Sequence, residues 1–328
     1  MNALDCLHQF ISQTFYEKNS INTLDRFRGC LLGLAVGDAV GTTLEFKPKG
    51  SFKPIKDMMG GGPFRLKAGQ WTDDTSMALC LATSLLECQG FDANDQMQRY
   101  CRWQNEGYLS SNGRCFDIGI TVNRALNAYQ KDGNPYAGAI NFQRTSNGSL
   151  MRLAPIPLFY YTDRIKAQTF ALESSRTTHG ASECLDACLL FCNMLLRALA
   201  GGNKQHILFA DADSFDGEPK IMAIANGDYC QKTEQEIRGT SYVVNCLEAA
   251  LWCFWTTDNF ADAILKAANL GDDADTTAAV CGQIAGAYYG YSAIPRSWKK
   301  RLAQRQMLEQ LADRLYAVGY ECSESDFL

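Results

Sequence analysis

Histidine is scarce in this chain, with three among 328 residues, and no cysteine or histidine pair stands at the spacing of a zinc site. An imidazole or thiolate metal centre is therefore not what organises it. No run of 18 uninterrupted apolar residues occurs, so nothing reads as a transmembrane helix. Met1 to Gln13 offers neither a basic stretch nor a small-residue cleavage site, and a cytoplasmic protein without a membrane partner is expected. Basic runs are also missing beyond Arg296 to Arg305, which reads as a solvated helix face. With a net charge of −5, nucleic acid is not an expected partner. Period-two alternation and a βαβ rhythm are absent, which argues against a sheet. Internal repeats and low-complexity linkers are absent too, which favours one domain.

The 14 cysteines contain no CxxC pair, and a chain this long needs no disulfide staples. Cys184, Cys188 and Cys192 recur at the spacing of one buried helical face and read as reduced core residues. Hydrophobic residues at 46% and charged residues at 20% are ordinary for a globular protein. Helical patterning is expected over Leu24 to Val40, Met77 to Leu86, Asp92 to Trp103, Ile118 to Tyr129 and Ala181 to Ala200. It continues over Ser241 to Trp255, Phe260 to Ala268, Asp275 to Tyr288 and Arg296 to Tyr316, while Asp211 to Glu234 reads as an irregular surface segment. The expected fold is all-α, a compact many-helix single domain over residues 23–328. Residues 1–22 are expected to form an N-terminal helical extension with the stripe Leu4, Leu7, Phe10, Ile11 and Phe15.

Two acidic clusters stand out, Gly69-Gln70-Trp71-Thr72-Asp73-Asp74-Thr75-Ser76-Met77 and Leu270-Gly271-Asp272-Asp273-Ala274-Asp275-Thr276-Thr277-Ala278. Each reads as a helix beginning, so simple capping is one explanation. The density argues for more: five Asp and several hydroxyls, with no Lys or Arg inside either cluster. Were the fold to bring them together, the carboxylates would raise one another's pKa unless a cation sat between them. Carboxylate and hydroxyl oxygens suit Mg²⁺, Mn²⁺ or Ca²⁺, and the number of oxygens favours a two-metal site.

Read with Gly37-Asp38-Ala39-Val40-Gly41 through Glu45, these clusters resemble the ADP-ribosylglycohydrolase family, which includes the dinitrogenase reductase-activating glycohydrolases. The likeness covers roughly residues 24 to 295 and rests on three motifs in order. It implies an all-α fold with a central dinuclear metal cleft, holding two Mg²⁺ or Mn²⁺ ions. Thr72, Asp73, Asp74, Asp273, Asp275 and Thr276 are the expected ligands, and Asp272 is expected to face outward. The catalytic set is Glu45, Asp74 and Asp273, with the acid/base role open between Glu45 and a cluster Asp. Asp117 resembles the family aspartate that approaches the metals, a plain helix cap being the alternative. Ile120 departs from the Asn that related chains often carry there. Asn147, Gly148, Ser149, Met151 and Arg152 resemble the loop that cradles ribose and diphosphate. His179 is either substrate-facing or a satisfied core histidine.

The activity implied is hydrolysis of the bond between ADP-ribose and a protein side chain, most specifically arginine, so an ADP-ribosylated protein is the expected substrate. Two rivals stand beside it: a binder that blocks an ADP-ribosyltransferase, with hydrolysis secondary, and a hydrolase of another ADP-ribose-type nucleotide. The N-terminal stripe either covers the chain's own body or docks on such a transferase.

Overall fold

The computed structural model describes residues 21–140 and 145–320. Among these the only β pairing is three isolated bridges, Gly61 with Leu66, Ala139 with His179 and Ser146 with Tyr242. The helices of the first half are α1 (Thr23–Gly41), α2 (Asp73–Glu87), α3 (Ala93–Glu106), α4 (Ile120–Asp132), α5 (Pro155–Phe159) and α6 (Arg164–Arg176). Those that follow are α7 (Ser182–Leu199), α8 (Lys204–Phe209), α9 (Pro219–Ala225), α10 (Val243–Trp255), α11 (Phe260–Ala268), α12 (Ala274–Tyr289), α13 (Arg296–Arg301) and α14 (Arg305–Gly319). None is long and apolar enough to cross a membrane. The expected extension over residues 1–22 lies outside the described residues except for its last two, and Asn22 there caps α1 by accepting from the Asp25 N–H at 2.7 Å.

Helices α1 and α12 form the centre, and both are buried on all sides along most of their length. A helix with no solvated face has to be covered all round by others. What lets these two pack at backbone distance is an interval-of-four row of small residues on each. A Cβ on Gly33 would stand 2.2 Å from the Gly282 carbonyl oxygen, one on Gly37 2.0 Å from that of Ala278, and one on Gly41 2.3 Å from that of Ala274. The rising numbers on one helix meet falling numbers on the other, so the pair is antiparallel. The C-terminal end of α1 therefore lies against the N-terminal end of α12, which carries the second acidic cluster.

Three expectations need correction. The segment 211–234 holds helix α9, opened by Pro219 at its first position. Helix α6 was not foreseen because its buried stripe is Ala167, Ala171, Ser174 and Ser175, small residues that barely raise a hydrophobic period. The stretch 296–316 is two helices rather than one. The break comes where Gln304 adopts φ 46° and Ala303 donates its N–H to the Gly69 carbonyl at 2.9 Å. That kink clamps the loop leading into Thr72, and a Cβ on Gly69 would meet the Arg301 carbonyl oxygen at 2.0 Å.

Candidate active site

The two acidic clusters begin α2 and α12, yet they do not cap them. Thr72 and Asp273 occupy the cap positions and make no side-chain capping hydrogen bond. Carboxylates from α1 and the turn after it do that work. Asp38 accepts the Thr72 N–H at 2.9 Å and the Thr75 N–H at 3.1 Å, and also the Thr75 hydroxyl at 2.6 Å. Glu45 follows the 3₁₀ turn Thr42–Leu44, and its Oε2 accepts the N–H groups of Ala274 at 2.8 Å and Asp275 at 3.3 Å. An external acid satisfies each helix N-terminus, where the dipole favours negative charge. The clusters' own carboxylates are thereby left over for another task.

Those carboxylates converge. Oxygens of Asp38, Asp74 and Asp275 lie within 4.8 Å of one another, and so do oxygens of Glu45, Asp273 and Asp275. Asp74 is fully buried; its Oδ2 accepts from the Thr72 hydroxyl at 3.2 Å and the Thr276 hydroxyl at 3.4 Å. Its Oδ1 meets no donor, nor does Oδ2 of Asp275. Burial, and then repulsion from neighbouring acids, pushes the pKa values of Asp73, Asp74 and Glu45 upward. Burial raises Asp38 to about 6 and Asp275 to about 7, the hydrogen bonds from Thr72 and Thr75 restraining the former. Asp273 is also pushed up by burial, held back chiefly by Asn147, whose Nδ2 donates to its Oδ2 at 3.0 Å. Buried acceptors without donors, packed among like charges, are the environment a cation relieves. An all-oxygen donor set fits a hard divalent ion.

The group opens on a cavity of about 490 Å³. Glu45, Asp73, Asp273, Asp275 and Thr276 line it, together with Ser146, Asn147, Gly148, Met151 and Ser241. Asp117 lines the mouth with φ 60°, and burial, then Asp275, raises its pKa. It does not cap α4, whose cap position belongs to Gly119. Ile120 stands on the cavity wall and is 72% exposed. Thr72 and Asp74 sit beneath the cavity floor rather than on it. Asp272 turns to the edge, 3.5 Å from the Arg238 guanidinium.

Ser149, Arg152 and His179, expected to touch substrate, stand behind the cavity wall. The Ser149 hydroxyl accepts from that of Ser175 at 2.8 Å. Arg152 is fully buried and donates to the Gly148 carbonyl at 2.9 Å. His179 is fully buried between the hydroxyls of Ser146 and Thr178, both at 2.8 Å. Burial pushes its pKa down to about 3, so the ring is neutral. Ser146 and Gly148, which both line the cavity, lie against the His179 ring.

A profile of ADP-ribosylglycohydrolases matches residues 19–324. The chain belongs to the ADP-ribosylglycohydrolase family. It is 45% identical to the ADP-ribosylarginine hydrolase Tri1 of Pseudomonas putida (strain GB-1), over 93% of this chain and 81% of that protein. It is 31% identical to the ADP-ribosyl-[dinitrogen reductase] glycohydrolase of Rhodospirillum rubrum, over 90% of this chain and 98% of the relative. A solved structure described as an ADP-ribosylglycohydrolase-related protein complex superposes with a TM-score of 0.81 at 43% identity, covering 90% of this chain and 99% of that one.

In this ADP-ribosylglycohydrolase several site residues carry no strong sequence signal. Asp38 stands in a run of small and apolar residues from Gly29 to Gly41, but its capping partners lie 34 and 37 positions away. Phe46 lines the cavity at 64% exposure with φ 61°, held by its N–H to the Asp272 carbonyl at 2.8 Å. An exposed aromatic in left-handed backbone marks a site residue only once the structure is seen. Ser146 and Ser241 likewise read as ordinary loop serines.

Proposed function

We infer that this chain hydrolyses the N-glycosidic bond between the anomeric ribose carbon of ADP-ribose and an arginine side chain of a modified protein. The observation that carries this is the convergence of Glu45, Asp273 and Asp275 on one cavity, in a chain 45% and 44% identical to two proteins named ADP-ribosylarginine hydrolase Tri1.

Thr72, Asp73, Asp74, Asp273, Asp275 and Thr276 would hold two divalent cations, Mg²⁺ or Mn²⁺, with Asp38 braced behind them. Bound there, the ions would polarise the ribose and lower the pKa of a water. The chain's own residues supply the rest. Asn147 fixes the orientation of Asp273. Glu45, locked by two backbone N–H groups of α12, is a buried carboxyl that exchanges a proton with water and the leaving guanidine nitrogen. Substrate phosphates are kept from the acidic side by charge and go to the Ser146 to Gly148 wall. Asp117, Phe46 and Ile120 then bound the mouth from which the acceptor protein departs. The free cysteines of the described residues support a reducing, cytosolic setting.

The test is a panel of proteins carrying arginine-, serine- or aspartate-linked ADP-ribose, incubated with Mg²⁺ or Mn²⁺. ADP-ribose is expected from the arginine-linked protein. Release from the serine-linked protein alone would replace the acceptor assigned here.

A further inference from the structure

A second cavity, of about 300 Å³, shares no lining residue with the acidic one. It lies between the turn joining α5 to α6 and the C-terminal half of α7, with Tyr161, Arg164, Asn193, Leu196 and Arg197 on its walls. Asn193 is the unusual member. It is 6% exposed and is the one amide among the buried residues of α7, the others being Cys, Ala, Leu, Phe and Met. Gln168 donates Nε2 to its Oδ1 at 2.7 Å, which holds the amide in place. Nδ2, at the other end of that amide, finds no acceptor among the described residues. Buried N–H groups left idle cost stability unless something from outside the chain accepts them.

The charges around this amide are unbalanced. Arg197, one turn further along α7, donates to the Ile207 carbonyl at 3.1 Å and to Oδ1 of Asp211. Arg164 comes only within 4.0 Å of the same oxygen, makes no hydrogen bond within the described residues, and keeps 60% of its side chain exposed. One carboxylate therefore faces two guanidiniums, and a positive charge is left over. The next acid along the chain, Asp163, is already committed. It caps α6 by accepting the Lys166 N–H at 3.0 Å and pairs with the Lys166 ammonium at 3.0 Å. As a tie between helices alone Arg164 would contribute little, since an exposed pair at that distance is weak.

An idle amide donor, a loosely paired guanidinium and a second guanidinium held in place make up the donor set that an oxyanion accepts from, the guanidinium fork matching phosphate and carboxylate alike. Tyr161 and Leu196 add a ring and an aliphatic side chain, against which a small organic body packs. We propose that this cavity is a second binding site, taking a small molecule that bears an oxyanion, a phosphate monoester or a dicarboxylate. Arg164 and Nδ2 of Asn193 are its donors, and Arg197 is the fixed charge beside them. The site is independent of the hydrolysis inferred above.

Equilibrium dialysis of radiolabelled inorganic phosphate and radiolabelled succinate against the full chain tests this, on the wild type and on two variants, with melting temperature as a check on folding. Arg164→Ala removes the spare guanidinium from an exposed position, where the fold does not need it. Asn193→Asp keeps the acceptor for Gln168 and puts an anionic oxygen in the place of Nδ2. Saturable binding of at least one of the two anions by the wild type is expected. Arg164→Ala should weaken it roughly tenfold, the loss of one hydrogen bond between charged groups, and Asn193→Asp should abolish it. Tighter binding of phosphate assigns the site to a phosphate monoester, and tighter binding of succinate assigns it to a dicarboxylate. The absence of saturable binding of both anions by the folded wild type would overturn the site, as would binding that either folded variant leaves intact.

Discussion

Asp74 has no exposed surface, and one of its two carboxylate oxygens meets no donor. Its neighbours share the predicament, and a pH dependence follows. Asp38 is raised from 3.8 to about 6 and Asp275 from 3.8 to about 7 by burial. For an acid whose folded pKa lies above its unfolded value, the folded state binds more protons in between, so stability falls as pH rises through that window. With chelator present, the melting temperature should therefore drop between about pH 5 and 7, and added Mg²⁺ or Mn²⁺ should flatten the drop by binding only the folded state. A chelated protein whose melting temperature stays level or climbs across that range would remove the strained-carboxylate picture. At this scale much was legible beforehand. Asp73, Asp74, Asp273 and Asp275 declared themselves by density without a neighbouring cation. Arg152 and His179 did not, because polar residues in a loop motif look alike whether they face the cavity or buttress its wall.

Helices α1 and α12 bring the acids together through backbone contact, so the site depends on residues that carry no chemistry. A Cβ at Gly282 would lie 2.0 Å from the Gly33 carbonyl oxygen, where only backbone movement relieves the clash. Gly282→Ala is expected to cost about 1–3 kcal/mol or more by overpacking, and to depress activity by shifting Asp275 from Glu45. Gly119→Ala, where nothing lies within 4 Å, is the control and should stay within about 0.5 kcal/mol. Equal melting temperatures for the two variants would mean that the helix pair has slack the geometry denies. The glycines of Leu24 to Val40 could be read as permitting a close approach, but their partner could not, since Gly33 and Gly282 are remote in sequence. The break between α13 and α14 was hidden for the same reason: it exists to hold the Gly69 loop, and no local signal marks Gln304.

Taken whole, the molecule folds three distant motifs onto one cavity, with Asp38 and Glu45 from the first capping the helices that carry the other two. The order of those motifs, together with the lack of sheet patterning, made the all-helical architecture and the family readable from the chain. The meeting of the acidic residues with the Ser146 to Gly148 segment on one cavity was not readable, because it arises from packing between segments more than a hundred residues apart, as between Asn147 and Asp273. The most direct test of the central claim compares the wild type and Asp275→Asn for release of ADP-ribose from an arginine-modified protein in saturating Mg²⁺ or Mn²⁺, with folding of both verified. The expected result is a loss of at least about a hundredfold in the variant, and an equal loss when chelator is added to the wild type. Full activity of Asp275→Asn, or of the wild type in chelator, would contradict an acidic metal cleft as the hydrolytic centre.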